Sequence, residues 1–419
     1  MNFLWQSHFN RNKYVNFLMM SIFYIANARI PTEKAHGLQI VKMCEAFAQQ
    51  GLDVQLIVPF RRQSVQMRQV ESVWEYYEVT PPFALKRLPS PDFIRLQRFL
   101  PARLMLVCYM LQSLIFGVMA TVVTLKAEGA YYTRDWYTLF ALALTKRWHG
   151  KPIFFEAHRM HGASQRTLLR WLLRHVDGLI VITQALQTYY EQFRIVSDKI
   201  LTAPDGVDGR RLRQQMPTKE AARIQLELPL DVTIVCYTGH LFRWKGVYTL
   251  VEAMRYLPGN YWLYIVGGMA DDRQALQQFI TEQQLPRIVL TGHVPYSMVP
   301  RYLAAADVLV LPNSATVSIS RDCTSPLKLF EYMAAQRPIV ASNLPSLREV
   351  LRHDENAWLV SPDDTSALAG GIQRVMNDSL LQARLVKKAY TDVQTFTWSS
   401  RARNIVDFMK RNTLTTKPQ

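Results

Sequence analysis

Four cysteines in 419 residues (Cys44, Cys108, Cys236 and Cys323) are too few and too scattered for a disulfide framework or a thiolate metal site. A reducing, cytoplasmic setting is expected. No Asp-x-Asp occurs anywhere in the chain, so the sequence makes no case for a catalytic divalent metal, and no other cofactor is expected. Acidic residues are also scarce, with 33 Asp and Glu against 49 Lys and Arg. The first 17 residues are polar and basic, and no small-residue cleavage site follows the apolar run Phe17 to Ile25. That run reads as a buried strand behind an N-terminal extension, residues 1–17. The stretch Leu104 to Leu125 has no charge over 22 residues, long enough to span a bilayer. Gln112, Ser113, Thr121 and Thr124 weaken its hydropathy, and a buried helix is the expectation.

What is present fits a large folded protein. The length exceeds one ordinary core and favours two domains. The net charge is +16 and uneven: residues 1–205 hold 24 Lys/Arg and 14 Asp/Glu, and the remainder 25 and 19. Such a surface attracts phosphorylated ligands, anionic lipid headgroups or polyanions. No nucleic-acid module or ordered aromatic platform accompanies the charge, so no nucleic-acid partner is expected.

Apolar runs rich in β-branched residues alternate with helical-period segments. The runs are Ser21–Ala26, Val54–Val58, Gly129–Tyr132, Pro152–Phe155 and Leu179–Ile182, then Val232–Tyr237, Trp262–Val266, Ile288–Leu290, Val308–Leu311, Pro338–Ala341 and Trp358–Val360. In the segment Leu38 to Gln50, Leu38, Val41, Cys44, Phe47 and Ala48 share one helical face, and Gly51 ends it. This alternation predicts an α/β fold with two parallel sheets and right-handed crossovers. The turn signal Pro204-Asp205-Gly206 divides an N-terminal domain, 18–205, from a C-terminal one, 206–390. The stretch Leu381 to Met409 reads as helical; a crossover helix is assigned to 391–412 and a tail to 413–419.

Ligands of open parallel sheets bind beyond the carboxyl ends of the strands. In the second domain those loops are Gly239–Gly246, Gly267–Gly268, Thr291–Pro295 and Pro312–Pro326. In Cys323-Thr324-Ser325-Pro326-Leu327-Lys328-Leu329-Phe330-Glu331, Ser325 reads as an N-cap with Pro326 at the first helical position. A helix start presents unpaired N–H groups to an anion such as a diphosphate. Glu331 is then placed to accept from a ribose diol; the plain alternative is a capped helix with a surface glutamate. In Gly239-His240-Leu241-Phe242-Arg243-Trp244-Lys245-Gly246, two cations near a helix entrance oppose the helix dipole, which a bound phosphate would offset.

These two segments, with Ala35-His36-Gly37, Glu156-Ala157-His158, Pro204-Asp205-Gly206-Val207-Asp208 and Thr291-Gly292-His293-Val294-Pro295, are similar in order and spacing to glycosyltransferase family 4. The resemblance covers roughly residues 18–412. It implies a GT-B fold: two Rossmann-like domains facing across a cleft, with the C-terminal helix returning toward the N-domain. The implied activity is a retaining transfer from a nucleoside-diphosphate sugar to a glycan or lipid-linked envelope acceptor. On this resemblance His36 and Gly37 lie in an acceptor-side loop that closes over donor phosphate, His36 on the acceptor side and Gly37 on the donor. His158 is the active-site histidine, and Gly239, His240, Arg243 and Lys245 form the diphosphate loop. Val294 meets the base through its backbone. Cys323, Thr324, Ser325, Pro326, Leu327 and Lys328 line the donor site, and Glu331 binds ribose.

Two positions depart from the family pattern. His240 stands where arginine is usual, and Cys323 replaces the first acid of the paired-glutamate motif; a thiol accepts poorly from a sugar hydroxyl. These departures keep two rivals open, a nucleotide-sugar epimerase of the same fold and a catalytically weakened binding subunit. The N-domain cations suggest peripheral attachment to the inner face of an anionic membrane. Lys86, Arg87, Arg95, Arg98 and Arg103 interleave with Phe93, Ile94, Leu96, Phe99 and Leu100, while Arg166, Arg170 and Arg174 form a stripe at four-residue steps beside leucines. The alternative is that the apolar residues pack inside and the arginines are solvated.

Overall fold

A computed structural model of the chain describes residues 21–80, 83–93 and 100–414. The extension 1–17, residues Ile94 to Phe99 with Arg95 and Arg98, and the end of the tail lie outside the described residues. The chain forms two compact units. One takes the residues up to Ile182, Gln187–Ala203 and those from Trp398 onward; the other takes Thr183–Leu186 and Pro204–Thr397.

The first unit is built on a seven-stranded sheet, numbered here in chain order: β1 (Ser21–Ile25), β2 (Asp53–Phe60), β3 (Ala84–Pro89), β4 (Ala130–Thr133), β5 (Ile153–Ala157), β6 (Gly178–Val181) and β7 (Ile200–Thr202). Their spatial order is β3-β2-β1-β4-β5-β6-β7, all parallel. Strands covered on both faces read as unbroken apolar runs, and β1, β4, β5 and β6 are almost wholly buried. The second unit has β8 (Thr233–Thr238), β9 (Tyr261–Val266), β10 (Ile288–Gly292), β11 (Val308–Leu311), β12 (Ile339–Ser342) and β13 (Trp358–Val360). Their order is β10-β9-β8-β11-β12-β13. In both sheets the order reverses beside the unit's first strand, at β1/β4 and β8/β11. Those switch points are where open α/β sheets bind ligands.

Two strands escaped the sequence reading. The outer strand β3 carries Lys86, Arg87 and Pro89 and is mostly exposed, as edge strands commonly are. The other edge strand, β7, has only three residues. The domain limits also differ from those expected. Pro204 and Asp205 belong to the second unit, where the Asp205 amide donates to Ser325 Oγ at 3.0 Å. That unit runs to Thr397 rather than 390, because Leu381 to Met409 is not one helix. It breaks between Ser379–Val393 and Trp398–Leu414, where Val207 N–H bonds Phe396 O at 2.9 Å and the Phe396 ring packs against Phe330. Helix Trp398–Leu414 packs in the first unit against helix Ala35–Gln49 and beside β6, where Phe408 lies 2.6 Å from the point at which a Cβ on Gly178 would sit.

Helix Arg166–Leu173 resolves the arginine stripe. Leu169, Leu172 and Leu173 are buried, and Arg166, Arg170 and Arg174 are exposed. This is an ordinary amphipathic helix with solvated cations. Helix Ala102–Thr124, expected to be buried, is not: only 33% of its apolar stretch is enclosed.

Candidate functional site

The β8/β11 switch point gathers the cationic residues of the second unit. Strand β8 ends at Thr238, whose amide donates to Tyr332 Oη at 2.8 Å. Gly239 follows at φ +122°, and a Cβ there would lie 2.8 Å from Lys328 Nζ. The positive φ favours glycine at this turn, and the bare backbone leaves room for the lysine tip. The loop then carries His240, ring-stacked on Phe242, and a short 3₁₀ turn, Arg243–Lys245. The guanidinium of Arg243 lies 4.3 Å from the Tyr248 ring centre, and Lys245 Nζ lies 3.9 Å from that of Trp244.

Gly246 closes the turn at φ +72°, and a Cβ there would come within 1.7 Å of Pro312 O. The loops after β8 and β11 therefore touch through bare backbone. Trp244 O also accepts from Ser314 N–H at 3.1 Å and Ser320 Oγ at 3.2 Å. Gly246→Ala is expected to cost about 2 kcal/mol or more from backbone strain and the clash. It should weaken ligand binding at this loop more than it lowers thermal stability; calorimetry of both on one preparation checks this.

Lys328 lies in the first turn of helix Leu327–Ala334, buried, with Nζ 3.6 Å from the Tyr237 ring centre and no hydrogen-bond partner among the described residues. Burial and then the nearby charge of Lys245 hold its pKa well below the ordinary lysine value. Desolvation alone brings Lys245 down to about 7, and no carboxylate pairs with it among the described residues. Asn313, fully buried at the end of β11, has neither amide atom hydrogen-bonded among the described residues. Buried polar groups are nearly always satisfied, so such a cluster marks a ligand site. Sequence reasoning passed over Asn313, since no motif distinguishes it.

Glu331 is buried on the same helix and accepts from Tyr296 Oη at 2.9 Å; burial raises its pKa. Tyr296, also missed, brings the loop carrying Val294 to the helix. Cys323 and Thr324 are buried, and Leu327 opens the helix. Ser325 does not cap it. Pro326 precedes the helix as its N-cap residue, no side chain caps it, and Ser325 Oγ serves the Asp205 amide instead.

In the first unit, His36 and Gly37 fall not in a loop but in the first turn of helix Ala35–Gln49, Gly37 buried beneath Thr32 and Tyr77. His158 follows β5, its Nε2 2.6 Å from Glu156 Oε1. Glu156 is fully buried, also accepts from Gln39 Nε2 at 2.8 Å and the Tyr132 hydroxyl, and is ion-paired with Arg401, whose Nη2 lies 3.1 Å from its Oε1. Burial pushes its pKa up, but Arg401 and then His158 outweigh this and hold it well below the carboxylate range. Beyond its place in Glu156-Ala157-His158, Glu156 carries no sequence signal of its own, and Arg401 carries none. Among the described residues no group of three His, Cys, Asp or Glu side chains gathers as a metal site.

Comparison with known proteins adds the following. A family model described as "Glycosyltransferase Family 4" matches residues 37–211, and one described as "Glycosyl transferases group 1" matches 218–392. A D-inositol 3-phosphate glycosyltransferase of Xylanimonas cellulosilytica is 28% identical over 218 residues, 50% of this chain and 51% of that protein. The lipopolysaccharide core biosynthesis glycosyltransferase LpsD of Rhizobium meliloti is 29% identical over 170 residues, 40% of this chain and 46% of its own. The chain thus spans about half the length of the curated relatives it matches. Over 94% of its length it superposes on all of Anabaena Alr3699/HepE, solved with UDP and glucose, at a TM-score of 0.73 and 18% identity, a likeness of fold.

Proposed function

On the premise that the chain belongs to glycosyltransferase family 4 and has the GT-B fold, we propose that it is a retaining glycosyltransferase moving a sugar from a nucleoside-diphosphate sugar to a glycan or lipid-linked envelope acceptor. The observation that carries this reading is the pair Lys245 and Lys328 at the β8/β11 switch point, two neighbouring, desolvated lysines, of which only Lys328 feels a carboxylate, that of Glu331, and neither forms a salt bridge among the described residues. A diphosphate supplies the missing charge. Bound there, it raises both lysine pKa values and receives charge-assisted hydrogen bonds in a dry site, where they are strongest.

Asn313 offers a donor and an acceptor at the same place, and Glu331, with Tyr296 holding one oxygen, keeps the other for the ribose diol. As the bond from sugar C1 to phosphate breaks, the lysines stabilise charge on the leaving diphosphate. The acceptor oxygen joins C1 on the same face, and its proton goes to the departing phosphate. In the first unit Glu156 steadies His158, which the family resemblance makes the active-site histidine. The reading includes a cytoplasmic location at the inner face of the membrane. It is supported by the absence of a disulfide among the described cysteines and by a relative named for lipopolysaccharide core biosynthesis.

Incubating the protein with nucleoside-diphosphate sugars, with and without a glycan acceptor, tests this. Acceptor-dependent release of nucleoside diphosphate with a new glycosidic product is expected. Epimerised donor without acceptor would replace the reading with an isomerase. Binding of nucleoside diphosphate without turnover of any donor would replace it with a binding subunit.

A further inference from the structure

Helix Ala102–Thr124 has its polarity reversed relative to a helix of a soluble protein. Its polar side chains face the protein. Gln112 Oε1 accepts from the Phe93 amide at 2.9 Å, Ser113 Oγ from Asn27 Nδ2 at 2.8 Å, and Thr124 Oγ1 lies 2.9 Å from Tyr131 Oη. Gly117 lets the helix cross Trp136–His149 closely, since a Cβ there would lie 2.8 Å from that of Ala141. Leu104, Val107, Leu111, Val118, Val122 and Leu125 recur at helical steps along the opposite side and stay exposed, Val122 at 64%. The stripe runs the helix's whole length, about 33 Å at the α-helical rise. Soluble monomers rarely leave such a patch open without a binding purpose.

Cations bracket it. Arg103 begins the helix and Lys126 follows its end, both exposed; exposed Glu128 lies just beyond. At that same end Lys151 Nζ donates to Thr124 O and Leu125 O, at 2.9 and 2.8 Å, which fixes the end of helix Trp136–His149 there. That helix's last turn presents Arg147 and Trp148, the latter 79% exposed. Cations and a tryptophan at the ends of an exposed apolar stripe are the anchors that sit at a membrane–water interface. Self-association fits poorly. Pairing two copies along the stripe in either direction sets like charges together, Arg103 on Lys126 or each on itself. Spanning the bilayer fits no better, because the inward face is fastened to the sheet and its loops.

We infer that the helix Ala102–Thr124 lies in the plane of an anionic phospholipid bilayer, its Leu/Val stripe among the acyl chains and Arg103, Lys126, Arg147 and Trp148 at the headgroups. This deepens the membrane location of the proposed function and rests on nothing in the second unit's site; failure here removes that location and leaves the sugar-transfer activity untouched.

Flotation of the full-length chain with extruded vesicles tests the inference. Vesicles of phosphatidylcholine with about a third phosphatidylglycerol should carry the protein upward, and pure phosphatidylcholine about tenfold less. Val118→Glu with Val122→Glu should lower binding at least about tenfold, with circular dichroism and Tm unchanged because both side chains are outward. Arg103→Gln, Lys126→Gln and Arg147→Gln together should remove most of the preference for the anionic vesicles. The inference is overturned if the parent fails to float with anionic vesicles, or if the double glutamate variant binds as well as the parent. It also fails if the lipid-free parent sediments as a dimer that the glutamates dissociate, or if membrane-bound protein resists alkaline carbonate as a spanning helix would.

Discussion

A variant with Lys245→Met and Lys328→Met should bind nucleoside diphosphate about a thousandfold more weakly than the parent, yet melt at a higher temperature without ligand. Each charge-assisted hydrogen bond to phosphate contributes roughly 1.5–3 kcal/mol, and losing two accounts for the weakened binding. The stabilisation has the opposite origin. Desolvation brings Lys245 to about 7, while in the unfolded chain it titrates near its ordinary value, about 10.4. Between those values the unfolded state holds more protons. The lysine's contribution therefore rises with pH across that window, and below about 7 its full cost is present. Methionine keeps the volume and removes the desolvated charge, so at neutral pH the free protein should gain about 1–3 kcal/mol, several degrees of Tm.

Binding runs the opposite way. Diphosphate favours the ammonium, so above pH 7 the parent should take up protons on binding and lose affinity as pH rises. Isothermal titration in buffers of different ionisation enthalpy measures the uptake. A double variant that melts lower, or binds as well as the parent, removes the phosphate assignment.

The repeated strand–helix alternation was plain in the sequence because both sheets are parallel and covered, which writes their central strands as uninterrupted apolar runs such as Val308–Leu311. Edge strands carry no such signature: β3 alternates charges with a proline, and β7 is too short to show a period. In the site, Lys245 was legible because its loop follows a strand end, Glu331 because it sits inside a helix that starts near one, and Lys328 only through the family resemblance; the structure places Lys328 and Glu331 on one helix. Ser325 misled, since Ser-Pro before a helical run reads as a cap whether or not the hydroxyl turns away to another segment, as it does to the Asp205 amide. Asn313 gave no signal, because its burial is a tertiary fact. The stretch 104–125 was ambiguous for a related reason: composition counts Gln112 and Thr124 as polar interruptions, and only packing shows that they face the protein. Glu156 and Arg401 stand 245 residues apart, beyond the reach of any local pattern.

That distant pair underlies the second large effect. Glu156→Gln should destabilise the first unit by about 3–5 kcal/mol, since it strips the buried Arg401 guanidinium of this counter-charge. Arg401→Met should cost a comparable amount by leaving the carboxylate with less compensation. Joined in one chain, the two changes should cost much less than their sum, and a double-mutant cycle should return a coupling of about 2 kcal/mol or more. Additive losses would mean that the ion pair is incidental.

The cycle also separates structure from positioning. His158 is held through Glu156 Oε1, so the double variant, with its fold largely restored, leaves the imidazole without the ionised carboxylate that orients it. Turnover should then remain at least about tenfold low, while the nucleoside-diphosphate Kd, set by Lys245 and Lys328 in the other unit, stays at the parent value. Full recovery of turnover alongside stability would reduce Glu156 to a structural role and leave His158 acting without a positioning partner.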